Sequence, residues 1–174
     1  ILILILILFK IKTDKEKKII LRDSINITNR PGYDNQPTFS ADGKKIYYVS
    51  VREDKQADIY SYDLKKKKTL RLTNTSESEY SPVNYDEETL TSVVVEKDSA
   101  QKIHFINVKN GNHERILDFD SVGYYAFINP DTLIYYKLTK PHSLRYHCIS
   151  TGEDKWIGDE PVRGFKKINR HRFV

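Results

Sequence analysis

One period organises this chain. Ile27-Thr28-Asn29 returns 45 positions later as Leu72-Thr73-Asn74, and Arg115-Ile116-Leu117-Asp118 fills the slot 45 positions after that. Trp156-Ile157-Gly158-Asp159 follows at a slightly shorter step, and Pro37 and Pro82 repeat the 45-residue spacing independently. Within each period four short apolar runs recur in the same order. The first set is Gln36–Ser40, Lys45–Val51, Asp58–Leu64 and Thr69–Thr73. The second is Ser81–Tyr85, Thr89–Glu96, Lys102–Val108 and Glu114–Leu117; the third is Tyr125–Asn129, Thr132–Leu138, Ser143–Ser150 and Lys155–Gly158. The runs are rich in β-branched and aromatic residues and are punctuated by Asp42-Gly43, Asn110-Gly111 and Thr151-Gly152, which are hairpin signals. No stretch carries a helical period.

Four strands per 40 to 45 residues is the signature of a propeller blade. A four-stranded sheet with two apolar faces buries both only when sheets stack on either side, and radial stacking does this while leaving short edges. The expected fold class is therefore all-β, a β-propeller of four-stranded antiparallel blades. The phase divides the chain into 1–29 (third and fourth strands of a preceding blade, Ile5–Ile11 and Ile19–Thr28), three full blades at 30–74, 75–118 and 119–159, and 160–174, where Arg163–Ile168 opens a further innermost strand. Three blades do not close a ring. With no Met in the chain and a C-terminal Arg172-Phe173-Val174 that reads as an interrupted strand, the chain is expected to be an arc of a larger ring. Its apolar start, Ile1–Phe9, reads as a buried strand or as the tail of a signal peptide's apolar core, but is too short to span a bilayer.

The unit Gln36-Pro37-Thr38-Phe39-Ser40-Ala41-Asp42-Gly43-Lys44, followed by Asp58-Ile59-Tyr60 and Leu72-Thr73-Asn74, resembles the TolB-type repeat, a WD40-like (PD40) propeller motif. The later units depart from it: Asn84 takes the aromatic's slot, Asp86-Glu87-Glu88 replaces Pro-Asp-Gly, and Ala126 stands for Pro. The resemblance implies a six-bladed ring without a known reaction, in the periplasm or outside the cell, binding protein, peptide or glycan.

The composition excludes several chemistries. The 29 basic and 24 acidic residues are interspersed, and the run Lys65–Lys68 reads as a solvated turn, so no nucleic-acid partner is expected. Cys148 is a single cysteine and forms no internal disulfide. His104, His113, His142, His147 and His171 occupy unrelated stations of the repeat, so no metal site and no cofactor are expected. There is no Gly-x-Ser-x-Gly elbow and no phosphate-binding loop, so no catalytic residue is assigned.

The loops entering the innermost strands line one rim of a propeller's channel. Here they are Tyr33–Gln36, Glu79–Ser81, Gly123–Tyr125 and Arg163–Phe165. Tyrosine recurs at this station, offering a flat apolar face and a hydroxyl, although the same rings would also serve to pack blade on blade. Tyr33, Asn35, Glu79, Tyr80 and Tyr124 are the rim candidates for a ligand or partner. The sequence favours a non-enzymatic binding scaffold. It leaves open the propeller half of a prolyl-peptidase-type serine hydrolase, or a glycan-binding or polysaccharide-processing propeller.

Overall fold

The computed structural model describes residues 4–52, 54–159, 167–169 and 172–173. Strands β1 (Ile7–Thr13) and β2 (Ile19–Asn26) form an antiparallel hairpin. Three four-stranded antiparallel sheets follow, each in sequence order. Strands β3 (Tyr33–Phe39), β4 (Lys45–Val51), β5 (Ala57–Asp63) and β6 (Lys68–Arg71) form the first. The second holds β7 (Ser78–Asn84), β8 (Thr89–Val95), β9 (Gln101–Asn107) and β10 (His113–Ile116); the third holds β11 (Val122–Asn129), β12 (Thr132–Lys137), β13 (Ser143–Cys148) and β14 (Asp154–Asp159). A short pair, β15 (Lys167–Asn169) with β16 (Arg172–Phe173), closes the described chain. This is a partial β-propeller. The fold agrees with the sequence period because each period supplies one complete sheet. The expected inner strand at Arg163–Ile168 lies mostly outside the described residues.

The core lies between sheets, and strand alternation decides which side chain faces which neighbour. On β4, Ile46 and Tyr48 turn back toward Ile27, Leu6 and Leu8 of the preceding hairpin. Tyr47 and Val49 turn forward and meet Leu90 and Ile106 of the second sheet. On β8 the division repeats: Leu90 faces backward, while Val93 joins Ile103, Val122, Tyr125, Leu133 and Tyr135 against the third sheet. Because both faces are covered, burial on these strands is continuous rather than alternating, from Ile46 to Ser50 and from Leu90 to Val94.

The β1–β2 hairpin is the exception. Leu6 and Leu8 pack inward, while Ile11 and Leu21, a directly opposed pair on the other face, are 68% and 56% exposed. Ile7, Phe9 and Ile19 add to this apolar surface. Contiguous exposed apolar surface drives association. The chain alone is therefore expected to sediment as associated species at micromolar concentration. Ile11→Lys with Leu21→Lys should shift it toward monomer; a monodisperse wild-type monomer would contradict the expectation.

Candidate binding cleft at the inner rim

The innermost strands β3 and β7 carry the same irregularity 45 residues apart. The register of β3 against β4 slips between Asn35 and Thr38, and that of β7 against β8 between Tyr80 and Val83. At these bulges Gln36 (φ 53°) and Ser81 (φ 51°) adopt the left-handed conformation, which costs a non-glycine residue about 1 kcal/mol. The two bulges hold each other. The Gln36 side-chain carbonyl accepts the Ser81 backbone N–H at 2.8 Å, and its amide donates to the Ser81 hydroxyl at 3.2 Å. Bulges re-aim side chains and commonly stand beside functional sites.

Here they floor a cleft of about 430 Å³. Tyr33, Tyr80 and Tyr124, contributed by three successive inner strands, all line it, together with Gln36 and Ser81. Tyr33 and Tyr80 are half-buried and also pack against the core between the first two sheets. They are anchored at one edge in that core and open to the cleft at the other. Tyr124 stacks on Tyr136 of β12, with ring centroids 6.4 Å apart and planes 16° from parallel, and Tyr136 meets His142 edge-on at 5.2 Å. No Asp, Glu, Lys or Arg lines the cleft among the described residues. Its chemistry is that of aromatic faces, amides and hydroxyls.

The other two candidates sit beside the cleft. Asn35 is half-buried and supports Tyr33, donating to its hydroxyl at 3.4 Å, while its carbonyl accepts the Gln36 N–H at 2.8 Å. Glu79 is fully buried on the other side of β7. Its carboxyl accepts hydrogen bonds from the Thr73 hydroxyl at 2.9 Å and the Thr75 hydroxyl at 2.6 Å. Burial dominates these contacts and pushes its pKa up to about 7. One period earlier the equivalent Asp34, also buried, pairs instead with Arg30 at 3.1 Å and accepts from the Ser50 hydroxyl at 2.6 Å. The loop Arg163–Phe165 lies outside the described residues.

The sequence reading did not find Tyr136, His142, Leu138, Val95 or Gln101 in the cleft wall. Tyr136 and Val95 stand on second strands and Gln101 on a third, while Leu138 and His142 lie in the connection between β12 and β13. The Gln36–Ser81 tie was legible in principle, since the two positions share the repeat's spacing. Among the described residues no group of three His, Cys, Asp or Glu side chains is placed to hold a metal ion. No described helix is long and apolar enough to cross a membrane.

No family model and no curated protein matches the sequence. Solved structures do match the fold. TolB from Acinetobacter baumannii superposes with a TM-score of 0.62 at 18% identity, over 81% of this chain and 36% of that one. A structure assigned as TolB from Agrobacterium tumefaciens gives 0.62 at 17% identity, over 86% and 60%. The acylaminoacyl peptidase of Pyrococcus horikoshii gives 0.50 at 14%, over 82% and 26%. The chain therefore spans less than two thirds of either TolB structure. With its sheets ordered and stacked as blades, the chain has a partial β-propeller fold similar to that of the TolB structures.

Proposed function

We propose that this propeller is a non-enzymatic binding scaffold, acting in the periplasm or outside the cell, that captures an extended peptide or a glycan in the tyrosine-lined cleft. The observation that carries the reading is the convergence of Tyr33, Tyr80 and Tyr124, from three separate sheets, on one cleft that no Asp, Glu, Lys or Arg lines among the described residues. Half-buried tyrosines with few accessible rotamers present contact area at low entropic cost. Gln36, Ser81 and Gln101 supply donors and acceptors for a backbone amide or a sugar hydroxyl. The TolB likeness supports a scaffold; the fit to the peptidase is poorer, and no feature of the cleft favours that alternative.

The test uses an array of extended peptides and an array of glycans as probes. Wild-type protein is expected to capture members of one array. Tyr80→Ala with Tyr124→Ala should weaken that capture by about tenfold or more per ring, leaving far-UV circular dichroism nearly unchanged and lowering the melting point by only a few degrees, the share of Tyr80 that packs on the core. Undiminished capture, unfolding of the double variant, or no capture by wild type from either array would each overturn the reading.

A further inference from the structure

Behind the cleft, four titratable side chains stand in series in the interface between the first two sheets. Glu96, which follows β8, lies 3.2 Å from Nε2 of His104. Nδ1 of His104 lies 2.9 Å from Nδ1 of His113. Nε2 of His113 lies 3.7 Å from the carboxyl of Glu79, and this buried nitrogen has no hydrogen-bond partner among the described residues. His104 and Glu79 are 3% and 0% exposed. Both ends of the series abut the cleft in sequence: Glu79 precedes Tyr80, and Glu96 follows Val95, two residues of its wall.

We propose that Glu79, His113, His104 and Glu96 form a proton relay through which the buried end exchanges with solvent, and that the relay's state sets the Tyr80–Val95 wall. The proposal rests on the cleft being the binding site, and it assigns that site a regulator. Two facing Nδ1 atoms make a hydrogen bond only if one of them carries the proton. In one arrangement Glu79 is protonated, His113 carries its hydrogen on Nδ1 and donates to His104, and His104 carries its hydrogen on Nε2 and donates to Glu96. His113 Nε2 is then a bare acceptor facing the protonated Glu79 carboxyl at 3.7 Å, a gap that closes for the proton to cross.

The second arrangement follows by shifting one proton at each step. Glu79 gives its proton to His113 Nε2, His113 Nδ1 gives one to His104 Nδ1, and His104 Nε2 gives one to Glu96, which releases it to water. Each ring gains one proton and loses one, so both imidazoles stay neutral and one proton leaves. His104 Nε2 is now bare against the Glu96 carboxylate. That contact turns from attractive to repulsive, and Glu96 swings onto Lys102, already 3.1 Å away, drawing on the end of β8 at Val95.

The surroundings fit a neutral interior. Glu79 faces Asp58, itself held by Arg71 together with Asp54, and the hydroxyls of Thr73 and Thr75. His104 faces Glu96, Glu77 and Lys102, and His113 faces His104 and Glu79. Desolvation lowers the basicity of both rings, His113 to about 4, and raises Glu79 to about 7. Burial thus favours neutral rings beside a carboxyl that holds its proton.

The experiment is a nitrogen-15 and carbon-13 NMR titration of the full chain from pH 5 to pH 9, without ligand, so that its failure is separate from a failure of capture. His113 is expected to carry its hydrogen on Nδ1 at the acid end and on Nε2 at the alkaline end. The Glu79 carboxyl carbon and the Tyr80 and Val95 amides should share the midpoint, and Glu79→Gln should abolish the transition at Tyr80 and Val95. One unchanging His113 tautomer, or an unaltered transition in the variant, would overturn the proposal. If the variant does not fold, the wild-type titration decides: one shared midpoint supports the relay, and separate midpoints overturn it.

Discussion

Gly111→Ala is expected to lower the melting temperature by about 6–12 °C, corresponding to roughly 3 kcal/mol in a chain of this size. Two effects combine. Gly111 has φ +75°, a conformation that costs a side chain about 1–2 kcal/mol. An added Cβ would also stand 1.9 Å from the carbonyl oxygen of Leu72 and 2.9 Å from its carbon. That backbone does not yield easily, because Leu72 and Thr73 both donate their N–H groups to the carbonyl of Ile59, at 2.8 and 3.3 Å. The turn between β9 and β10 of one sheet is thus wedged against the exit of β6 in the sheet before it. Gly152 is the control. It has φ +70° at the same station of the third sheet, with nothing within 4 Å of an added Cβ. Gly152→Ala should cost only the conformational share, about 1–2 kcal/mol. Thermal melts of the two variants side by side check this, and equal losses would show that the wedge does not matter.

The second large effect is a pH-dependent gain from Glu79→Gln. The folded protein holds the Glu79 proton up to about pH 7, against an ordinary 4.5. A raised carboxyl pKa contributes stability that is complete below 4.5 and is lost as the pH rises through 7. The lost amount is about 3 kcal/mol at 1.36 kcal/mol per pH unit. Glutamine mimics the protonated acid and keeps an acceptor for the threonine hydroxyls, so the variant should match wild type near pH 4.5 and exceed it progressively up to pH 8. His113, lowered to about 4 from 6.5, works in the opposite sense. Its contribution is complete above 6.5 and is lost as the pH falls through 4, in both proteins alike. Urea denaturation across pH 4.5–8 therefore isolates Glu79 in the difference between the two. A constant difference would show that this carboxyl does not change its protonation on unfolding.

The two candidates that stand beside the cleft show where reading by position stops. Adjacency to Tyr80 in the entry loop points Glu79 to the rim. Strand β7 already begins at Ser78, however, and alternation sends Glu79 and Tyr80 to opposite sides. Its match to Asp34, one period earlier, was the available signal, since both are buried carboxylates at one station. Tyr33, Tyr80 and Tyr124 were legible because recurrence at a fixed station survives folding into a fixed radial position. Tyr136 and His142 were not, since no repeat spacing links them to that station.

The sequence alone determined what is local or periodic: strand order within each sheet, the glycine turns, the two buried faces of strands such as β4 and β8, and the recurrence of tyrosine at the start of the inner strands. Alternation and turn chemistry act between neighbours in the chain, so the order of residues is enough to specify them. The tertiary structure alone decided the contacts between sheets. The wedge of Gly111 on Leu72, the tie of Gln36 to Ser81, and the alignment of His104 with His113 and Glu79 depend on the twist and stacking of whole sheets, which fix distances that no spacing along the chain encodes.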